Sequence, residues 1–310
     1  MRIVLVTPAG PGTRNGNRHT ALRWAAFLRA AGHKVSISTE ELASGAEVML
    51  ALHARRSHAS IKAFAREKPL VVALTGTDVY RDIRTSAEAR ESLELAHRLI
   101  VLQPKAAEEL PGRLRKKAWV VVQSSATTLR HRPVKGKFRI CVIGHLRAEK
   151  DPLRIVAALP HVAPVVEVVH LGAALDPKLK PATGDARYRW LGSVPHARAL
   201  RWLASSHAMV ISSRMEGGAN VVCEALRIGV PVLASRISGN VGLLGARYPG
   251  YFQLEDERAL ARLITRAATD TRFYASLKAY VGKLRPMVAP QAEARALLAA
   301  LNTLPASAGR

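Results

Sequence analysis

The chain has 310 residues, enough for about two domains, and 48% of them are hydrophobic, which can fill two cores. Lysine and arginine total 47 against 23 aspartate and glutamate, a net charge of +24 that favours anionic partners. The cations are spread along the chain, aromatics make up only 5%, and no zinc-finger or helix-turn-helix spacing occurs, which disfavours specific nucleic-acid binding relative to a phosphorylated small molecule.

The only two cysteines exclude a disulfide framework and a thiolate metal site. Cys141 falls in an apolar strand and Cys223 on a helix, so both read as buried thiols. No apolar run approaches the roughly 20 residues of a membrane span. The amino terminus reads as a strand and not as a signal peptide, so a cytoplasmic protein is expected.

Residues 2–7 predict the first strand and 10–20 a glycine-rich loop. Trp24, Phe27, Leu28 and Ala31 then recur at i, i+3, i+4 and i+7, one face of a helix closed by Gly32. Strands are expected at 34–38, 48–51, 70–74, 99–102 and 119–123, the alternation of a parallel sheet covered on both faces. The loop misses the dinucleotide fingerprint, because three residues lie between Gly12 and Gly16 where that motif has two. Residues 130–136 are basic and broken by proline, which makes them the linker candidate. The resulting division is 1–133, 134–285 and a closing helical segment 286–310.

After the linker the pattern restarts with a strand at 139–144. Asp151 and Pro152 predict a helix start, with Asp as the N-cap and Pro in the first turn. Arg147 and Lys150 would thereby sit between a strand's carboxyl end and a helix's amino end, where cations can pair with phosphate oxygens. A strand at 208–212 leads into Arg214-Met-Glu-Gly-Gly-Ala-Asn-Val-Val-Cys-Glu224, and a short strand follows at 231–234. Gly217 and Gly218 lack a Cβ, so an anion can approach the main chain where the N–H groups of a helix start face it. Glu216 and Glu224 add two carboxylates at the edge where open parallel sheets bind ligands. A phosphate-bearing, hydroxyl-rich ligand suits such a place.

These residues resemble the family 4 glycosyltransferases, retaining enzymes with two Rossmann-like domains facing across a cleft. The resemblance implies that Glu216 contacts the donor hexose and Glu224 the ribose. Gly144-His-Leu-Arg-Ala-Glu-Lys-Asp151 matches the family's Gly-x-Leu-x-x-x-Lys-x, which implies a diphosphate clamp of Arg147 and Lys150 assisted by the amides of Gly217, Gly218 and Ala219. Gly144, Asn220 and Gly192 complete the implied donor site. Arg14, Asn15, Gly16, Asn17, Arg18 and His19 in the amino-terminal loop, with Thr75 and Gly76, are the implied acceptor residues.

One departure is informative. Many family members end a strand with His-Gly-x-Asp, and here the string is Thr75-Gly-Thr-Asp78. Loss of that imidazole fits a nucleophile that arrives already anionic. Asp78 and Asp82 read as isolated structural carboxylates. His53, His58, His145 and His170 show no ligand spacing, so neither a metal nor another cofactor is expected. Residues 1–10, 16–24 and 238–244 further resemble the selenosugar synthases of selenoneine biosynthesis, a short subgroup of the family. That implies transfer of N-acetylglucosamine or glucose from its UDP form to selenophosphate, with a new carbon–selenium bond. Two other readings stay open: a glycosyltransferase acting on a lipid or small-molecule hydroxyl, with the basic segment 55–62 near a membrane, and a basic nucleic-acid-binding protein.

Overall fold

The computed structural model describes residues 1–13, 16–40, 45–65, 68–181 and 183–304. Contacts divide the chain into two units, Met1–Gln123 with Pro290–Arg310, and Ser124–Ala289.

The first unit holds β1 (Arg2–Val6), β2 (Lys34–Ser38), β3 (Val48–Leu52), β4 (Leu70–Leu74), β5 (Arg98–Val101) and β6 (Ala118–Val120). All pair in parallel, in the order β2-β1-β3-β4-β5-β6. The strands β3 and β4 are buried at every position, as expected where helices cover both faces of a sheet. Side chains alternate between the faces. Val4, Met49, Val72 and Leu99 pack with Ile61 and Leu93 of the helices His58–Phe64 and Ala87–Leu95. Ile3, Leu50, Val71 and Ile100 pack with Trp24 and Leu28 of the helix Gly16–Ala30 and with Leu297 of the helix Pro290–Asn302.

That last helix carries a buried carboxylate. Glu293 accepts from Trp24 Nε1 at 2.6 Å and from Arg23 Nε at 2.7 Å. The helix that supplies both donors starts at Gly16, so Gly16, Asn17, Arg18 and His19 occupy its first turn and not a loop. Its buried stripe is Thr20, Ala21, Trp24, Ala25 and Leu28, whereas Ala31 is exposed, which turns the apolar face relative to the expected one. The strand expected over 119–123 ends at Val120.

The second unit holds β7 (Phe138–Ile143), β8 (Val166–Leu171), β9 (Tyr188–Trp190), β10 (Ala208–Ile211), β11 (Val232–Ser235) and β12 (Tyr251–Phe252). They form a parallel sheet in the order β12-β11-β10-β7-β8-β9. From β7 the chain runs outward to β9, then returns to the other side of β7 with β10. The crevice beyond the carboxyl ends of β7 and β10 is therefore the switch point where such sheets take ligands. In the first unit the corresponding point lies between β1 and β3.

Two expectations are corrected here. Residues 130–136 are docked within the second unit: the His131, Arg132 and Val134 amides donate to the carbonyls of Ile228, Ala204 and Ser205 at 3.2, 2.8 and 3.0 Å. Basic charge and a proline do not make a free linker when the neighbouring edge offers unpaired carbonyls. Asp151 does not cap a helix. It has a left-handed backbone (φ 43°), its Oδ2 accepts from Arg154 Nε at 2.9 Å, and the helix begins at Arg154. The guanidinium three residues on captures the carboxylate that the backbone N–H groups would otherwise use.

Both cysteines are buried, and burial pushes the Cys141 thiol up to about 12. Among the described residues no helix is long and apolar enough to cross a membrane.

Candidate functional site

The segment after β7 turns sharply. Gly144 N–H donates to Leu171 O at 2.9 Å and Leu146 N–H to Ala173 O at 2.9 Å, so the loop stays stitched to the end of β8. Gly172 makes this contact possible, since a Cβ there would lie 1.9 Å from Gly144 O. Leu146 is buried and anchors the turn, Arg147 is exposed, and Ala148–Lys150 forms a single 3₁₀ turn.

The segment after β10 meets it. Lys150 Nζ donates to Glu216 Oε1, and the same oxygen accepts from Ser213 Oγ at 2.5 Å. Ser212 Oγ donates to Asp151 O at 2.8 Å, which joins the two loops a second time. Glu216 is 7% exposed, so its charge is held out of water and opposite an ammonium group. A cavity of about 20 Å³, one water in size, lies beside Gly144, Lys150, Ser213 and Glu216, with His170 in its wall. Burial lowers the pKa of His170 to about 4, and its Nδ1 pairs with Tyr188 OH at 2.8 Å, so the ring is a neutral wall.

Beyond Glu216, Gly217 and Gly218 lead to Ala219 in the left-handed region (φ 36°), and the helix Asn220–Ile228 follows, closed by Gly229. Ala219 O is the first helical acceptor, receiving the Val222 and Cys223 amides at 2.8 and 3.3 Å. The preceding N–H groups are the ones that helix geometry leaves for a ligand. Glu224 lies on this helix and accepts from His196 Nε2 at 2.7 Å. His196 opens the helix His196–Ala204, just after the loop of Gly192, whose carbonyl accepts from Gly172 N–H at 2.8 Å. Thus Gly144, Arg147, Lys150, Gly192, Glu216, Gly217, Gly218, Ala219, Asn220 and Glu224 gather at the carboxyl edge of one sheet.

Sequence reasoning missed His196, Ser213 and Gly239. Gly239, in the helix Ser238–Leu244, packs under the turn: a Cβ there would lie 2.1 Å from Glu216 O. Gly239→Ala is expected to cost about 1–3 kcal/mol of stability by overpacking and to displace Glu216. Urea unfolding together with UDP titration measures both, and a variant matching the parent in the two assays would contradict this packing role.

The comparisons bear on this second sheet. Residues 137–270 match the family model described as glycosyl transferases group 1. The matched stretch contains the gathered loops, from β7 to the helix after β12. Over a longer span the chain is 25% identical to the Xenopus tropicalis protein named glycosyltransferase 1 domain-containing protein 1, covering 86% of this chain and 89% of that one. Two solved structures share the complete fold. HepE of Anabaena, in complex with UDP and glucose, superimposes with a TM-score of 0.76 at 15% identity, over 98% of this chain and 100% of its own. Sucrose-phosphate synthase of Thermosynechococcus elongatus gives 0.79 at 15% identity, over 97% and 98%. Both units therefore carry the fold of the B-type glycosyltransferases.

In the first unit, Gly16, Asn17, Arg18 and His19 follow the carboxyl end of β1, while Thr75 and Gly76 follow β4. Arg14 and Asn15 lie outside the described residues. Asp78 ties the turn after β4, accepting from the amides of Thr75 (2.9 Å), Gly76 (2.7 Å) and Ala54 (3.1 Å). Asp78 and Asp82, read as structural carboxylates too isolated for a metal site, have His53 at the end of β3 beside them, at 4.0 and 3.9 Å. His53 has φ 73° and its Nε2 pairs with Thr77 Oγ1 at 3.1 Å. An imidazole thus stands one strand away from where the family's histidine is missing. No sequence spacing could have shown it, since β3 and β4 meet only in the sheet. Its Nδ1 accepts from the Arg56 amide at 3.3 Å, which leaves the proton on Nε2, and burial lowers its pKa. Burial thus favours the neutral ring, whose Nδ1 is already engaged by a backbone amide. Among the described residues, no group of three or more His, Cys, Asp or Glu is arranged to hold a metal ion.

Proposed function

We propose that this chain is a retaining glycosyltransferase that moves a hexose from its UDP form to an acceptor that is already anionic, selenophosphate. The observation that carries the donor half is the junction of Lys150, Glu216 and the amino end of the helix Asn220–Ile228 at the switch point of the second sheet. Cations and helix amides there suit a diphosphate, and a carboxylate beside them suits hydroxyls. HepE, solved with UDP and glucose, supports the same donor class.

In this reading Arg147, Lys150 and the amides of Gly217, Gly218 and Ala219 hold the diphosphate and offset the charge growing on the leaving oxygen. Gly144, Gly192 and Asn220 line the donor site. Glu216 orients the hexose and Glu224 the ribose. The selenium of selenophosphate is negatively charged near neutral pH and polarisable, so its electron pair forms the new bond to the anomeric carbon without a base. The bond from that carbon to the diphosphate oxygen breaks, and UDP leaves with its electrons. Thr75 and the proton-bearing Nε2 of His53 support a base-free acceptor. Arg14 or Arg18 would pair with the acceptor's phosphate, with Asn15, Gly16, Asn17, His19 and Gly76 beside it.

The test is incubation with UDP-N-acetylglucosamine or UDP-glucose and fresh selenophosphate, followed by mass spectrometry. A selenium-bearing sugar and released UDP are expected. Efficient glycosylation of a hydroxyl acceptor with no selenium product would overturn the acceptor and leave the donor reading intact. Glu224→Gln is expected to weaken UDP binding by about 1–3 kcal/mol, the worth of a charge-assisted hydrogen bond. Calorimetric titration of the folded variant measures this, and an unaltered affinity would remove Glu224 from the site.

A further inference from the structure

The two carboxylates of the site are held in different ways. Glu216 is buried against Lys150 and Ser213, whereas Glu224 projects from a helix and has 15% of its side chain exposed. A glutamate on a helix surface samples several rotamers, and a ligand that needs one of them must first freeze the others. Here a second element supplies the restraint. His196 Nε2 lies 2.7 Å from Glu224 Oε1. The histidine is set by the first turn of the helix His196–Ala204, whose N-cap is Pro195, and that helix packs against the helix Asn220–Ile228. Both ends of the contact are thus anchored on packed secondary structure.

We infer that His196 is a positioning residue: it fixes the Glu224 carboxylate in the orientation that receives the ribose hydroxyls of the nucleotide. This rests on the donor reading above. A carboxylate offers about four lone-pair directions, and His196 takes one, so two hydroxyls can still be accepted. The contact therefore restrains Glu224 without blocking it. The hydrogen bond to Glu224 raises the His196 pKa, which widens the pH range over which the contact is charge-assisted. The neutral ring with its proton on Nε2 preserves the same geometry.

The experiment compares UDP with 2′,3′-dideoxyuridine 5′-diphosphate by calorimetry, in the parent protein and in His196→Ala and His196→Gln. The glutamine amide reaches about as far as Nε2 and donates one hydrogen bond. His196→Ala is expected to weaken UDP binding roughly tenfold, the loss of about one charge-assisted contact. His196→Gln should recover most of this, and the dideoxy nucleotide should bind the parent and His196→Ala alike. A variant that merely disturbs the fold would lose both nucleotides by the same factor, and that result overturns the inference, as does an unchanged affinity of His196→Ala for UDP. Parent protein that binds no UDP at all overturns the donor reading, and this inference with it.

Discussion

Lys150→Ala is expected to lower turnover by about 10²- to 10³-fold, the cost of removing one preorganised donor from a developing oxyanion. The side chain reaches Glu216 from the loop after β7, so its ammonium is already placed at the junction before any ligand arrives. In the proposed reaction negative charge accumulates on the leaving diphosphate as the glycosidic bond breaks. Deleting Lys150 removes the compensating cation and also leaves Glu216, 7% exposed, with its Ser213 hydrogen bond and an uncancelled charge facing the diphosphate. Arg147→Ala should do less, because that side chain is exposed and its loss leaves no buried charge behind. UDP release at saturating donor in the presence of EDTA is the measurement. Retention of near-parent turnover by Lys150→Ala, or loss of parent activity on chelation with recovery on adding divalent metal, would rule out a clamp built from side-chain cations.

Arg23→Ala is expected to destabilise the first unit by about 3–5 kcal/mol, the cost of stranding one member of a buried ion pair. Glu293 has no exposed side-chain surface and accepts from Arg23 and Trp24. Without the guanidinium, a full negative charge would remain in the apolar layer formed by Trp24, Leu28, Leu297 and Leu301. Adding Glu293→Gln to Arg23→Ala should recover most of the loss, since a neutral amide oxygen can still accept from the indole N–H. Denaturant midpoints for the single and double variants decide it; equal stability of both with the parent would show that the pair contributes nothing.

The strands of the first sheet and β7, β10 and β11 of the second could be read from apolar runs such as 70–74 and 139–144, whereas β8, β9 and β12 were not placed. The loops of Lys150 and Glu216 could be read because each pairs a charged residue with a glycine-bearing turn after a strand. What stayed hidden depends on neighbours distant in sequence. His196 meets Glu224 and His53 meets Thr77 only once helices and strands pack, and a lone histidine has no periodicity to betray it. Gly239 carries no signal of its own in the sequence, because the carbonyl it clears belongs to a loop 23 positions earlier, from 239 to 216. Asp151 failed as a cap for a local reason: an arginine three residues on competes for the same oxygens.

The first unit is assembled from the two ends of the chain, with the helix Pro290–Asn302 lying on the β1 and β3 side of its sheet. During synthesis, strands β1 to β6 leave the ribosome long before the residues that cover them. Until residues 290–302 have been made, Trp24 lacks its carboxylate acceptor and the apolar face of Ile3, Leu50 and Val71 lacks part of its roof. The second unit is continuous and can finish first. The nascent protein therefore matures from its middle outward. A chain truncated after residue 289 should present a protease-sensitive amino-terminal segment attached to a resistant second unit.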